Sequence, residues 1–229
     1  MSSGLRRATK LPTRALILNE VERLIARKGV YGFTLQDVAG PLSVQVPAIY
    51  KHFKSRDDVL IELSRRFIEG LARQFAAGPR AGSDPVVTLK RRLDEFVDFH
   101  LDNPAYVRLS LVDFATPEGG MEYLTLASGG PLHETPHVGP LAVMHRHLAA
   151  LLDAGCRAGK FREVVALDFY LIVKSVLLIR LAFRNDTLLT GRPSPAQIAE
   201  TKATLWDVAR RYLAFNPDLN SHARTSKRR

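Results

Sequence analysis

Thr34-Leu35-Gln36-Asp37-Val38-Ala39-Gly40-Pro41-Leu42-Ser43-Val44-Gln45-Val46-Pro47-Ala48-Ile49-Tyr50-Lys51-His52-Phe53 holds two short helical patterns on either side of a tight turn. Thr34 is placed to cap the first helix, with Asp37 at the third position of a capping box. Ser43 falls in the turn, and the second helix is expected over about Val46 to Phe53. Val38, Ala39, Val44 and Ile49 are small or branched apolar residues suited to the crossing of two short helices, which is what a helix-turn-helix requires. A helix of this size fits the DNA major groove, where its exposed N-terminal half meets base edges while flanking cations meet phosphates. Gln45, Val46, Pro47, Ala48 and Lys51 are then the exposed candidates.

Outward from this stretch, helical periodicity continues in both directions, without the alternation or Asn-Gly turns of a sheet. Upstream, Ile17, Leu18, Val21, Leu24 and Ile25 line one face of a helix from about Pro12 to Lys28, which Gly29 stops. Downstream, Ser55 caps a fourth helix, with Asp57 and Asp58 at the positive end of its dipole, and the pattern runs to about Ala77. Gly78-Pro79 and Gly82 mark a break. Asp84-Pro85 and Asn103-Pro104 each read as a cap followed by proline at the first helical position, opening helices over about Pro85 to Leu101 and Pro104 to Phe114. The glycines and prolines between Thr116 and Pro140 predict a long loop. Further helices are expected over about Leu141 to Ala158, Val164 to Asn185 and Pro195 to Phe215, the last capped by Ser194. The expectation is an all-α chain of about nine helices. It divides into a helix-turn-helix domain over 1–56, a connecting helix over 57–77, a larger helical domain over 78–218, and a basic tail over 219–229 expected to be disordered.

The chain has 229 residues, 46% hydrophobic and 24% charged, which suits a globular protein and excludes a disordered one. Its formal net charge is +10. Up to Arg56 the basic residues Arg6, Arg7, Lys10, Arg14, Arg23, Arg27, Lys28, Lys51, Lys54 and Arg56 face only Glu20, Glu22 and Asp37, and a second basic cluster closes the chain. Such a cluster is either an electrostatic footprint for phosphates or a solvated face, and the motif has to decide. Cys156 is the sole cysteine, so no intrachain disulfide forms. The N-terminus lacks the apolar stretch of a signal peptide, and the run from Val164 to Phe183 is broken by Asp168, Lys174 and Arg180. The expectation is a cytoplasmic protein that does not meet a membrane. No glycine-rich phosphate loop, nucleophile elbow or zinc-protease helix is present, so neither an enzyme nor a cofactor is expected.

From Ile17 to Leu63 the sequence resembles the tetracycline-repressor (TetR) family. The likeness lies in an apolar first helix, Gly29-Val30-Tyr31-Gly32-Phe33-Thr34, Val38-Ala39, and Ile49-Tyr50-Lys51-His52-Phe53-Lys54-Ser55-Arg56-Asp57-Asp58-Val59-Leu60. The resemblance implies a three-helix DNA-binding domain followed by a variable helical domain for ligand binding and dimerisation. It implies that Tyr50, His52 and Arg56 meet DNA phosphates, that Thr34 caps the second helix and touches the backbone, and that Gln36 and Gln45 to Ala48 face bases. Lys51 and Lys54 are the flanking cations. The alternative for Tyr50, His52 and Phe53 is that they pack the small domain. The sequence departs from the family's commonest pattern at Ser43, where glycine is usual, at Gln45-Val46-Pro47-Ala48, where Ser-x-Gly-Thr is usual, and at Gly40-Pro41, which interrupts the second helix.

In the larger domain, Leu167, Leu171, Val173, Leu177, Leu178 and Leu181 in one helix, and Ile198, Leu205, Val208, Ala209 and Leu213 in the next, could bury faces on a partner or form an internal core. The resemblance implies a four-helix dimer interface there, and a two-fold dimer matches palindromic half-sites. Polar residues within apolar helical runs are candidates for a ligand pocket: His100, Tyr106, Arg108, Asp113, Tyr123, His145, His147, Tyr170 and Lys174. Each has the alternative of being a surface or satisfied core group. His133, His137, His145 and His147 lie close in sequence, but without cysteines or clustered carboxylates no metal site is expected. The function expected is a repressor that binds double-stranded operator DNA as a homodimer and is released by a small apolar or amphipathic effector. The alternative is a constitutive DNA-binding regulator without an inducer.

Overall fold

Short local signals start and stop each helix in the computed structural model, which describes residues 13–75, 82–113, 140–183 and 193–214. Among the described residues there are nine helices and no strand: α1 (Thr13–Lys28), α2 (Leu35–Ala39), α3 (Val46–Tyr50), α4 (Arg56–Gln74), α5 (Pro85–Asp102), α6 (Pro104–Asp113), α7 (Pro140–Arg157), α8 (Ala166–Phe183) and α9 (Pro195–Leu213). The loop expected between Thr116 and Pro140 lies outside the described residues.

Gly29 adopts φ +81 after α1, the left-handed conformation that ends a helix at little steric cost when no Cβ is present. Thr34 and Asp37 form the expected capping box, Ser194 and Gln197 form a second at α9, and Ser55 accepts from the Asp58 backbone at α4. Two expectations need correction. α3 is shorter than expected, because the backbone N–H groups of His52 and Phe53 both converge on the Ile49 carbonyl, at 2.9 and 3.1 Å, and tighten the last turn. Asn103 does not cap α6 with its side chain; its amide turns back and donates to the Phe99 carbonyl of α5 at 2.7 Å.

One hydrophobic core runs through the chain. α1 supplies Ile17, Val21 and Ile25, and α4 supplies Val59, Leu60 and Leu63 from its first half and Phe67, Ile68 and Leu71 from its second. α4 packs on α1, α6 and α7, and α6 also packs on α1, so the N-terminal head and the larger body share these helices. α5 lies against α7 and α9, and α8 pairs with α9. Each fully buried Leu, Ile or Phe stabilises the fold by about 1.5–3 kcal/mol relative to an exposed one. The turn after α7 is packed tightly: the Phe161 ring occupies the place where a Cβ on Gly155 would stand, 1.9 Å from the nearest ring carbon.

The two apolar helices near the C-terminus are oriented differently from the simplest reading. Val173, Leu177, Leu178 and Leu181 of α8, with Leu205, Ala209 and Leu213 of α9, are buried within the chain. The apolar groups that α8 leaves in solvent are Ile179 and Phe183, 52% and 81% exposed, beside half-buried Val176. No helix among the described residues is long and apolar enough to cross a membrane.

Candidate nucleic-acid interface and ligand cavity

The head is shaped by its turn. Ser43 takes φ +54, and the Val44 N–H bonds the Ala39 carbonyl at 3.1 Å, which folds α3 back across α2. Glycine takes this conformation at no steric cost and a small polar residue at a modest one. Ile49 is fully buried and anchors α3. Gln45, Pro47, Tyr50 and Lys51 are left exposed, Val46 and Ala48 half-buried. Gln45 is the N-cap residue of α3 but makes no side-chain capping bond.

Several candidates are engaged inside the head. The Thr34 hydroxyl donates to the Asp37 carboxylate at 2.8 Å, and the Thr34 N–H does so at 2.7 Å. Lys28 Nζ reaches the other carboxylate oxygen at 2.8 Å. The Lys28 contact first, and the Thr34 bonds next, lower the Asp37 carboxyl to about 2. Phe53 is buried, with the Arg14 guanidinium 4.5 Å above its ring, so packing is its role. Arg14 also donates to the His52 carbonyl at 3.0 Å and pairs with Glu62 of α4 at 3.3 Å, tying the end of α3 to two neighbouring helices. Arg56, expected at a phosphate, donates to the Val30 carbonyl and lies 4.6 Å over the Phe33 ring. Its guanidinium therefore holds the head together. Gln36 and Lys54 are exposed and His52 half-buried. Tyr31, between α1 and α2, is 70% exposed.

In the body, an apolar cavity of about 70 Å³ opens between α5, α7 and α8. Leu93, Met144, Leu151 and Val173 line it, as does Phe75, the residue that caps the C-terminus of α4. His147 of α7, also in the lining, donates from Nδ1 to the Phe75 carbonyl at 3.1 Å. Arg92 of the same lining has its guanidinium 5.6 Å from the Phe75 ring and is paired to Glu95 at 2.9 Å. Phe75 and Arg92 carry no sequence signal of a site, since an aromatic at a helix end and an arginine on an amphipathic helix are ordinary.

Of the candidate ligand residues, Tyr170 and His147 line the cavity. His100, Tyr106, His145 and Lys174 gather beside it, all buried. The His100 ring lies 4.3 Å from Phe96 and 5.4 Å from Tyr106, and His145 lies 5.0 Å from Tyr170. Lys174 Nζ sits 5.6 Å from the Tyr106 ring and 5.8 Å from the Tyr170 ring. Burial, and secondarily the Lys174 charge, pushes His100 down to about 3 and lowers His145; burial raises the Tyr170 hydroxyl well above its ordinary value. Tyr106 is a core ring, 5.5 Å from Phe67 of α4. Arg108 is not part of this group: its Nη1 lies 3.8 Å from where a Cβ on Gly29 would be, against the end of α1. Tyr123, His133, His137 and the Asp113 side chain lie outside the described residues. His145 and His147 face different neighbours, Tyr170 and Phe75.

A three-helix head with a helix-turn-helix, joined through shared helices to a larger helical body with an apolar cavity, is the architecture of a DNA-binding transcription regulator. Residues 17–63 match the profile of bacterial regulatory proteins of the tetR family. No curated protein sequence matches it. Its fold is shared with a tetR family transcription regulator from Shewanella sp. PV-4, at 16% identity and TM-score 0.64, covering 90% of this chain and 100% of that one. A transcriptional regulator from Saccharomonospora viridis in complex with choline aligns at 18% identity and TM-score 0.60, covering 89% and 98%. A Clostridium perfringens protein described as a fatty acid metabolism regulator aligns at 12% identity and TM-score 0.60, covering 88% and 100%.

Proposed function

We propose that this regulator is a cytoplasmic repressor that binds a palindromic operator as a homodimer and leaves it when a small amphipathic molecule enters the cavity. The observation that carries the reading is the double position of Phe75, which lines the cavity and ends α4. α4 begins at Arg56, three residues after Phe53, so an occupant that displaces Phe75 acts on the helix that carries the reading head. Two recognition helices fit successive major grooves only at a spacing of about 34–36 Å, and a tilt of α4 spoils that spacing. The effector works by its difference in affinity for the two spacings, and operator must weaken effector binding by the same factor.

On this reading Gln36, Gln45, Val46, Pro47 and Ala48 face bases, and Tyr50, Lys51, His52 and Lys54 face phosphates. Thr34 approaches the backbone, and Arg56 serves by shaping the head. Residues 1–56 form the reading unit, 57–77 the lever and 78–218 the effector and dimer unit, with 219–229 a basic tail. The α8 face with Val176, Ile179 and Phe183 supplies the dimer contact, since burying exposed apolar groups of this size favours association. The choline complex of a structural neighbour is in keeping with a small molecule in the body.

The test uses a duplex selected from a random pool and read by fluorescence anisotropy. Tyr50→Phe and Lys51→Ala should each weaken binding by about 1–3 kcal/mol, and the lysine variant should flatten the salt dependence by about one unit. Unchanged affinity and slope in both variants would overturn the assignment.

A further inference from the structure

The cavity between α5, α7 and α8 presents hydrocarbon on most of its walls. Phe75, Phe96 and Phe169 line it together with leucines and Val173, and only Thr88, Arg92, His147 and Tyr170 bring polar side chains to the lining. Three of these four are committed elsewhere. The Arg92 guanidinium pairs with Glu95 at 2.9 Å and donates to the Gln74 carbonyl at 3.4 Å, so its charge is already met. His147 donates from Nδ1 to the Phe75 carbonyl at 3.1 Å. The Tyr170 hydroxyl is shut away from accessible space, so this tyrosine offers the cavity its ring. A charged head placed here would shed its water and find no unpaired counter-charge in the lining. An apolar space with so few polar partners does not hold water well and takes apolar guests.

Size narrows the guest further. Sites for drug-sized ligands enclose about 300–1,000 Å³, and an apolar cavity of about 150 Å³ takes benzene. This one has about 70 Å³. A single ring therefore enters when a wall gives way, and Met144, unbranched and with three rotatable bonds, is the part of the lining most able to move. Phe75 stands edge to face on Phe96 at 6.2 Å and 69°, and Phe96 on Tyr170 at 6.0 Å and 69°. The wall is thus a run of edge-to-face rings, the packing that a further ring prefers.

Resting on the reading of the body as an effector site, we propose that the part of the effector that enters the cavity is uncharged hydrocarbon, a single aromatic ring, and that any polar group it carries stays outside. The guest is held by apolar contact and ring packing. Thr88 can add one hydroxyl contact, but binding does not depend on it.

Toluene, benzoate and benzyltrimethylammonium present one ring with no head, an anionic head and a cationic head. Titration of the full chain labelled at its methionine methyl groups, followed by NMR, reads the site directly. Met144 is one of three methionines, with Met1 and Met121, and its signal is assigned through Met144→Leu. Toluene should move the Met144 signal and bind at least about tenfold more tightly than either charged ligand. Thr88→Val and Arg92→Met should each leave toluene affinity within about twofold, whereas a site built around a polar head would lose about tenfold in one of them. Tighter binding of benzoate or of the ammonium, a Met144 signal that toluene does not move, or a loss of about tenfold in either variant would overturn the proposal. Operator affinity is measured in the same samples. Toluene bound at Met144 with operator affinity unchanged would overturn the effector-release reading while the assignment of the cavity stands.

Discussion

The head and the body are both packed helices, yet they are held in different ways. The head relies on short polar devices: Thr34, Asp37 and Lys28 at α2, Ser55 and Asp58 at α4, Arg14 on the His52 carbonyl, and Arg56 on the Val30 carbonyl. The body has caps and ion pairs too, at Asp84, Ser194 and Lys202 with Asp98, but adds interlocked apolar shapes, such as Phe161 against Gly155, and encloses polar groups without a hydrogen-bond partner among the described residues. A region fixed by directional bonds keeps one geometry for reading DNA, while a region with an open cavity retains capacity for a guest.

The largest test of this contrast is Gly155→Ala. The added methyl meets the Phe161 ring at 1.9 Å, and overpacking there should destabilise the chain by about 3 kcal/mol or more in urea unfolding. A midpoint within error of the parent would show that the body is looser than described. Next in size, Ile179→Asp combined with Phe183→Asp should raise the dimer dissociation constant by about a hundredfold or more in sedimentation, since these exposed rings and branches are the groups a partner would bury. A dimer of undiminished strength would move the interface elsewhere.

The enclosed histidines give the body a pH dependence below neutrality. His100 is lowered to about 3, so between about pH 6.5 and 3 the unfolded chain holds a proton there that the folded chain does not. Stability should therefore fall as pH drops through this window, by up to about 1.4 kcal/mol per pH unit for one histidine. His145, also lowered, adds to the same slope. Urea titrations between pH 7 and 5 should show a shallower slope in His100→Gln; equal slopes would remove His100 from the account. The smallest effect belongs to the head. Ser43→Gly relieves a left-handed φ and should raise stability by about 1 kcal/mol in the same assay, and a lower midpoint would mean that the turn is not strained.

The same contrast explains what the sequence could show. Caps act over three residues, so Thr34 with Asp37, Ser55 with Asp58 and Ser194 with Gln197 were legible as strings. The helix order and the exposed group Gln45, Pro47, Tyr50 and Lys51 followed from them. The contacts of Arg56 with Val30 and Phe33 were not legible, because those partners lie more than twenty residues back. In the body the distances are longer: His147 meets the Phe75 carbonyl seventy-two residues away, and no periodicity announces that. α8 is apolar on almost every side, so its sequence gave no direction to its faces; packing on α9 buried Leu177 and Leu181 and turned Ile179 and Phe183 outward.

α4 has a practical consequence for anyone recombining such proteins. Its first half closes the apolar face of α1 through Val59, Leu60 and Leu63, and its second half enters the body through Phe67, Ile68 and Leu71. A fragment ending at residue 56 would strip the α4 and α6 cover from the apolar face of α1, and about 25 cal/mol per Å² of the surface so exposed would oppose its folding. A transplant of this reading head onto a foreign body must therefore carry α4 at least to Leu63, with a surrogate for the α6 surface that packs on α1. The seam at which such proteins exchange parts lies inside a helix, where a graft must keep its heptad phase as well as its sequence.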